Sequence, residues 1–318
     1  MNTIETTLGA LPINQLGTRI NAHDHLFLDS GPGGVNVPDF LLDDVGKTAA
    51  EIQRWAEAGG GAIVDTMPTT GRNVDKCIEV SQKTGIPIIM STGFHKGAYY
   101  WPDHWRYLYD EDELVELILA EITEGIECTN YRGPLIKRSA VKAGVLKIAG
   151  EYNRVTDNMQ MLIRVVGRVH HITGTPIYAH TEHGTAAEEL LDLLETAEVP
   201  LDSVLICHLD RNPDPYLHKL VAKRGAFLEY DTPSRIKYQP ESIVIGLMRT
   251  MIEAGYGDRL MLGGDMARRS YLKAYGGGPG FEYLLQEFTP RLVREGFTEE
   301  ELHLIWQENP LRWLIGKK

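Results

Sequence analysis

The sequence predicts a single-domain α/β fold, a closed (β/α)8 TIM barrel over residues 1–318. Three observations support this prediction. Short β-rich runs alternate with longer helical patterns along the whole chain, which is typical of a parallel sheet. The β-rich runs number eight, and no linker-like or low-complexity segment divides the chain. A length of 318 residues is also ordinary for one such barrel.

The predicted strands are short runs of mostly apolar residues. In chain order they are TRINAHD (18–24), AIVDT (62–66), PIIMST (87–92), GVLKI (144–148), PIYAH (176–180), SVLICH (203–208), AFLEYD (226–231) and RLMLGG (259–264). Neighbouring side chains in a strand point to opposite faces. Cys207, directly before His208, is therefore predicted to face the layer between barrel and helices.

Amphipathic stretches between these runs predict the surrounding helices. They cover residues 43–58, 72–84, 112–126, 155–172, 185–196 and 240–254. Several stop at glycine, as in AEAGGG (56–61) and QKTGIP (82–87), which is a common helix end. An open, doubly wound sheet is the alternative arrangement of the same elements, but the count of eight strands favours a closed barrel.

The composition argues against several classes of protein. The net charge of −12 disfavours a nucleic-acid partner, because duplex binding depends on clustered Lys and Arg. No run is apolar enough to cross a bilayer, and no segment has the pattern of a secretory signal. Cys77, Cys128 and Cys207 are few and far apart, which suits a reducing compartment. We expect a cytoplasmic protein that acts on a small-molecule substrate, with no nucleic-acid or membrane partner.

Six reactive or metal-compatible side chains lie at or near the carboxyl ends of predicted strands, where barrels of this type place their active sites. They are His23, His25, Lys147, His180, His208 and Asp265. His23 and His25 stand two apart in a strand, so both point to one face. Taken singly, each histidine or aspartate is more often a structural residue, but six such residues from five strands predict a metal centre.

Lys147 is the most informative of these residues because it lies inside the apolar run GVLKI. A buried ammonium group is costly unless it is paired or chemically altered. Burial near cations favours the neutral amine, which can add carbon dioxide and become an anionic carbamate. We predict that carboxylated Lys147 bridges two divalent metal ions.

The order of the strands divides the remaining ligands between the two ions. His23, His25 and Asp265 are predicted to bind one ion, and His180 and His208 the other. Two ions that share a hydroxide lower its pKa towards neutrality and make it the nucleophile. Asp265 is placed to take the proton of this hydroxide and deliver it to the leaving group. The ligand types suit zinc, manganese and cobalt alike.

Motifs along nearly the whole chain resemble those of the phosphotriesterase-like group in the amidohydrolase superfamily. They are NAHDH (21–25), TTGRNVDKC (69–77), STGFHKG (91–97), KAGVLKIAG (142–150), IYAHTEHG (177–184), ICHLDRNPD (206–214) and LGGDMARRSYL (262–272). The resemblance implies a binuclear site, usually of zinc, with a carboxylated lysine at Lys147 and a catalytic aspartate at Asp265. Some members carry Glu at the position of Lys147, and many have H-E-H where this sequence has H-D-H, with Asp24 predicted to point away from the metals. The resemblance is also consistent with a homodimer.

Lys237, Arg268 and Tyr271 are the predicted phosphate-binding residues, in the segments after the seventh and eighth strands. A guanidinium, an ammonium and a phenol suit a phosphate monoester, although a single Lys or Arg is more often a solvated loop residue. The phosphorylated sugar-lactonase branch of the group uses a Lys, an Arg and a Tyr in matching loops, and GFHKGAYY (93–100) also resembles that branch.

The resemblance therefore implies a metal-dependent hydrolase that opens the 1,4-lactone of a phosphorylated furanose sugar. A phosphotriesterase and an N-acyl-homoserine lactonase are the alternative enzymes, and both require a largely apolar pocket. A non-catalytic metal-binding barrel is a third alternative. Structural zinc sites are usually closed sets of Cys and His, whereas these ligands include oxygen donors and leave open positions.

Overall fold

Eight parallel strands form the centre of the molecule in the computed structural model, which describes residues 2–316. An antiparallel hairpin of β1 (Thr3–Thr6) and β2 (Gly9–Pro12) precedes them. The parallel strands are β3 (Asn21–Asp24), β4 (Ile63–Asp65), β5 (Ile88–Gly93), β6 (Val145–Ala149), β7 (Ile177–His180), β8 (Val204–Ile206), β9 (Phe227–Tyr230) and β10 (Leu260–Leu262). Each of them pairs with the next along the chain.

Backbone hydrogen bonds join the end of the last strand to the first. The N–H groups of Gly264 and Asp265, which follow β10, donate to the carbonyl of His23 in β3 over 2.8 and 3.1 Å. The predicted (β/α)8 barrel is therefore confirmed, and the open sheet is wrong. Each predicted strand is present. β5 and β6 have the predicted lengths but begin one residue later than predicted, and the other six strands are shorter than predicted.

Helices surround the barrel. They are α1 (Gly31–Asn36), α2 (Val45–Glu57), α3 (Val74–Thr84), α4 (Glu111–Thr123), α5 (Asp157–Thr173), α6 (Ala187–Thr196), α7 (Pro215–Lys223), α8 (Glu241–Glu253), α9 (Thr289–Arg294), α10 (Glu299–His303) and α11 (Asn309–Ile315). Polar side chains cap several of them: Asp44 accepts the Lys47 N–H at the start of α2, and Asn73 accepts the Lys76 N–H at the start of α3. The sequence did not predict α1, α7 or the three helices after β10.

Two buried clusters stabilise the barrel. Successive residues of one strand enter different clusters: Val145 joins the cluster inside the barrel, and Leu146 joins the cluster between barrel and helices. Trp313 of α11 belongs to the inner cluster and donates its indole N–H to the carbonyl of Ile177 over 3.2 Å. The inner cluster fills the barrel below the carboxyl ends of the strands, so that the polar residues at those ends rest on a packed apolar base.

Across residues 2–316, we find no helix with both the length and the apolar character that a membrane span requires.

Candidate metal centre and active site

Three predicted ligands form a compact triangle of donor atoms at the carboxyl end of the barrel. The Nε2 atoms of His23 and His25 are 3.2 Å apart, and each lies 3.4 Å from Oδ1 of Asp265. Donors of one tetrahedral ion with bonds of 2.0–2.1 Å are about 3.3 Å apart. The spacing of these three atoms therefore fits a single metal ion.

The other two predicted histidines form a second pair of donor atoms. Nδ1 of His180, at the end of β7, lies 2.9 Å from Nε2 of His208. The ring centroid of His208 is 5.3 Å from that of His23, so the pair adjoins the triangle. The arrangement suits a second ion held by His180 and His208.

Lys147 lies near both groups, since its charge acts on the pKa of His25 and of His180, and its Nζ lies 5.1 Å from the centroid of the Tyr178 ring. Its side chain is fully buried, and Nζ makes no hydrogen bond within residues 2–316. Burial lowers the pKa of the Lys147 amine to about 8, which favours the neutral form needed to add carbon dioxide. A buried amine that makes no hydrogen bond, among candidate metal ligands, suits a lysine that becomes a carbamate.

Electrostatics also suit metal ligation. Burial lowers the pKa of His25 to about 4 and that of His208 to about 3, so both rings are neutral near pH 7. Burial also tends to lower the pKa of His23. The negative charges of Glu229, Asp231 and Asp265 have a larger effect in the opposite direction and raise the pKa of His23 to about 9. A metal ion that binds His23 must therefore displace a proton from that ring.

Two arginines hold the carboxylate of Asp265. Its Oδ2 accepts hydrogen bonds from Arg211 over 2.5 Å and from Arg235 over 3.2 Å. Burial tends to raise the pKa of Asp265, but Arg211 and His23 hold it well below its usual range. Oδ1 remains directed at the two histidines, so Asp265 presents an ionised oxygen to the first ion site.

Asp24 fixes the segment that carries Asp265, as expected for a residue pointing away from the metals. Its Oδ1 accepts the backbone N–H of Met266 over 2.7 Å. A Cβ atom at Gly264 would lie 2.2 Å from Oδ2 of Asp24, so only glycine fits there. The LGGD sequence thus allows the close approach that positions Asp265.

Four charged groups that support the ligands are not among the residues predicted from the sequence, namely Asp231, Glu229, Arg211 and Arg235. Oδ2 of Asp231, directly after β9, lies 2.6 Å from Nδ1 of His208, and Oδ1 of Asp231 accepts from Arg211 over 2.6 Å. Glu229 lies inside the barrel near His23. The signals were Asp231 and Glu229 in AFLEYD and Arg211 in ICHLDRNPD, both already identified as strand-end segments. Such carboxylate partners commonly orient metal-binding histidines.

The prediction for Cys207 is wrong. Its side chain belongs to the cluster inside the barrel, together with Tyr178 and Leu205. β8 ends at Ile206, and His208 has a left-handed backbone with φ of 63°. Simple alternation stops where the strand ends, so Cys207 and His208 both face inwards.

A cavity of about 330 Å³ opens above the candidate ligands. Arg268 and Tyr271 line it, in the company of His25, His180, His208 and Asp265. Arg268 stacks on Phe40 and lies 3.3 Å from Oδ2 of Asp39. The exposed Lys237 is not part of this lining, but its Nζ lies 5.4 Å from the centroid of the Tyr271 ring. The structure thus brings Arg268 and Tyr271 into one cavity with the candidate metal ligands and places Lys237 outside its lining, next to Tyr271.

The profile of the phosphotriesterase family matches residues 2–314. The chain belongs to the phosphotriesterase family. One relative is the phospho-furanose lactonase of Mycoplasmopsis synoviae (strain 53), which is 34% identical over 321 residues, or 97% of this chain and 90% of the relative.

Two solved structures show the same architecture. The lactonase of Listeria monocytogenes has a TM-score of 0.90 and 34% identity, covering 99% of this chain and 100% of its own. The phosphotriesterase homology protein of Escherichia coli, complexed with phosphate in its active site, has a TM-score of 0.86 and 28% identity, covering 94% of this chain and 99% of its own. This phosphotriesterase-family protein is a metal-dependent hydrolase.

Proposed function

We propose that this phosphotriesterase-family hydrolase opens the 1,4-lactone of a phosphorylated furanose sugar. The proposed cofactors are two divalent metal ions, of which zinc is the first candidate, and Lys147 carries a carboxyl group that bridges them. One observation carries the proposal: a single cavity joins the candidate metal ligands to Arg268 and Tyr271. The names of the lactonases in Mycoplasmopsis synoviae and Listeria monocytogenes support a lactone as the substrate. The phosphate in the active site of the Escherichia coli relative supports an anion at this face of the barrel.

The protein supplies the metal ligands, and the metal ions activate the lactone carbonyl and the attacking water molecule. When bound, two divalent ions polarise the lactone carbonyl and lower the pKa of an adjacent water molecule. Asp265 receives the proton of that water on a carboxylate oxygen and passes it to the ring oxygen that departs. Arg211 and Arg235 keep the carboxylate in place during this transfer, because both donate to its Oδ2 atom.

Arg268 and Tyr271 orient the substrate from the opposite end. A guanidinium binds phosphate oxygens as a fork, and a phenol adds a hydrogen bond. Lys237 contributes a positive charge from behind the Tyr271 ring. Binding energy at the remote phosphate places the carbonyl over the metal centre, so removal of the phosphate lowers turnover as well as affinity.

The character of the cavity wall favours this substrate over the two alternatives. Four of the lining side chains lack nitrogen and oxygen, namely Leu28, Phe40, Met67 and Ala267, whereas Lys96, Glu182, Arg211 and Arg268 are charged. A phosphotriester or an acyl chain is stabilised by an apolar wall. The hydroxyl groups and phosphate of a sugar lactone instead match charged and hydrogen-bonding groups.

The decisive experiment compares a furanose 1,4-lactone with and without its terminal phosphate. We expect the wild type to prefer the phosphorylated lactone, and Arg268→Ala to lose on the order of 100-fold in kcat/KM for that substrate, since a charge-assisted hydrogen bond contributes about 1.5–3 kcal/mol. The unphosphorylated lactone should react at nearly the same rate with both proteins. Steady-state kinetics of lactone opening provide the measurement.

Arg269→Ala is the matched control. Arg269 is the next residue along the chain, but it binds Asp43 over 2.8 Å and the carbonyl of Leu41, and it is not part of the cavity lining. The control should keep the preference for the phosphorylated lactone. Equal rates for the two lactones in the wild type, or faster hydrolysis of a phosphotriester or an acyl-homoserine lactone, would exclude this substrate and leave the metal chemistry intact.

A further inference from the structure

Glu229 is a carboxylate inside the barrel that the proposed reaction does not use. Its side chain is fully buried in β9, and no lysine or arginine within residues 2–316 forms an ion pair with it. Its Oε1 atom has no hydrogen-bond partner there. The His23 ring, 3.3 Å from Oε1, is the charged partner that the described residues offer it, and a buried carboxylate is costly unless it is paired. The position of Glu229 therefore requires an explanation.

The contacts of Glu229 lead to a metal ligand. The hydroxyl of Tyr178 donates to Oε2 of Glu229 over 2.9 Å, and the same hydroxyl oxygen lies 2.5 Å from Nδ1 of His23. Oε1 of Glu229 lies 3.3 Å from that Nδ1. The single hydroxyl proton of Tyr178 goes to Glu229, so Tyr178 can only accept from His23. Nδ1 of His23 therefore carries a proton, and the lone pair of a neutral His23 ring is left on Nε2.

Nε2 of His23 is the atom that meets His25 and Asp265 in the donor triangle. The hydrogen bonds below the site thus select the metal-binding tautomer above it. The backbone also makes room for this carboxylate, since a Cβ atom at Gly263 would lie 1.7 Å from Oε1 of Glu229. In LGGD, the absence of a side chain at Gly263 leaves room for Glu229, and its absence at Gly264 leaves room for Asp24.

Charge gives a second reason for a buried carboxylate at this place. Two divalent ions carry more positive charge than the Asp265 carboxylate and one carbamate neutralise. A fully buried anion 3.3 Å from a ligand ring reduces that excess without occupying a coordination position.

We propose that Glu229 is a positioning residue that acts through Tyr178 to hold His23 in its metal-binding tautomer and to offset the charge of the metal pair. The inference rests on the metal part of the proposed function and is independent of the substrate. In Glu229→Gln, the side chain keeps its shape but has only one oxygen. If its oxygen accepts from Tyr178, its NH2 group faces the Nδ1–H of His23, and if its NH2 group donates to Tyr178 instead, the Tyr178 hydroxyl proton is free to turn towards Nδ1 of His23.

The experiment measures zinc retention in the full-length, zinc-loaded protein against a graded series of chelator concentrations. We expect Glu229→Gln to lose one of its two ions at chelator activities about 10–100-fold lower than the wild type, the usual effect of removing such a partner. Tyr178→Phe removes the hydroxyl group that joins Glu229 to His23 but leaves Glu229 near His23. We expect this variant to lose zinc at a chelator activity about fivefold lower than the wild type. Glu51→Gln is the control: Glu51 is equally buried, but it binds Arg54 and the N–H of Ala274, and it should retain zinc like the wild type.

Thermal unfolding distinguishes positioning from packing. The zinc-free Glu229→Gln protein should unfold at a somewhat lower temperature than the zinc-free wild type, because the pairing of Glu229 with the His23 ring is lost. With zinc the fall should be larger, because the variant also gains less stability from the metal. Unchanged zinc retention in Glu229→Gln, or an equal fall in unfolding temperature with and without zinc, would overturn the inference. A wild type that holds no zinc, manganese or cobalt would instead contradict the metal part of the proposed function.

Discussion

Replacement of Lys147 by Met is expected to uncouple the metal pair and to lower turnover by at least about 100-fold. Met matches the length and apolar character of the buried lysine stem, so the barrel should remain folded. It removes the amine, and with it the bridging carbamate that we propose. Metal analysis of the purified variant should find fewer than two ions per chain, and kinetics with the phosphorylated lactone should show the loss of turnover.

Lys147→Glu is the informative companion to this variant. It supplies a carboxylate without any need for carbon dioxide. We expect it to retain more metal and more turnover than Lys147→Met. Full activity and two ions in Lys147→Met would show that Lys147 does not bridge. Crystals of the metal-loaded wild type with no density for a carboxyl group on Nζ would contradict the carbamate directly.

The barrel architecture can be predicted from local patterns in the sequence. Each strand is an apolar run followed by a polar residue, and parallel strands in a barrel bring all these ends to one face. For this reason, the sequence predicts that residues as distant as His23 and Asp265 lie together, and in the structure Nε2 of His23 lies 3.4 Å from Oδ1 of Asp265. The fold and the positions of the candidate ligands were therefore predictable from strand periodicity and count.

The supporting groups were less predictable because they depend on backbone geometry beyond the strands. Arg211 reaches Asp265 from the segment after β8, where His208 has a positive φ. In the same segment, the alternation of side chains along a strand predicts that Cys207 faces the helices, whereas it faces the inside of the barrel. Glu229 lies within a strand, but an inward-facing acid is recognisable as functional only once Tyr178 and His23 are seen beside it. Periodicity predicts which face a side chain occupies, and tertiary contacts decide what it does there.

Asp265→Asn is expected to lower turnover by about 10³-fold, within the range that general acid–base groups contribute. The amide keeps one oxygen that can face His23 and His25, but it is a far weaker proton acceptor than a carboxylate. We therefore expect turnover to fall much more than metal content. Steady-state rates and metal analysis on the same preparation provide the comparison, because they separate proton transfer from ligation.

Asp210→Asn is the matched control for this variant. Asp210 is buried in the neighbouring segment and accepts the N–H of Thr232 over 2.7 Å, but it is not among the predicted ligands. The control should retain most of its turnover, since Asn can accept the same hydrogen bond. If Asp265→Asn turned over normally, Asp265 would have no part in proton transfer. If it lost metal and turnover in parallel, Asp265 would act as a ligand alone, and the proton would have to leave by another group.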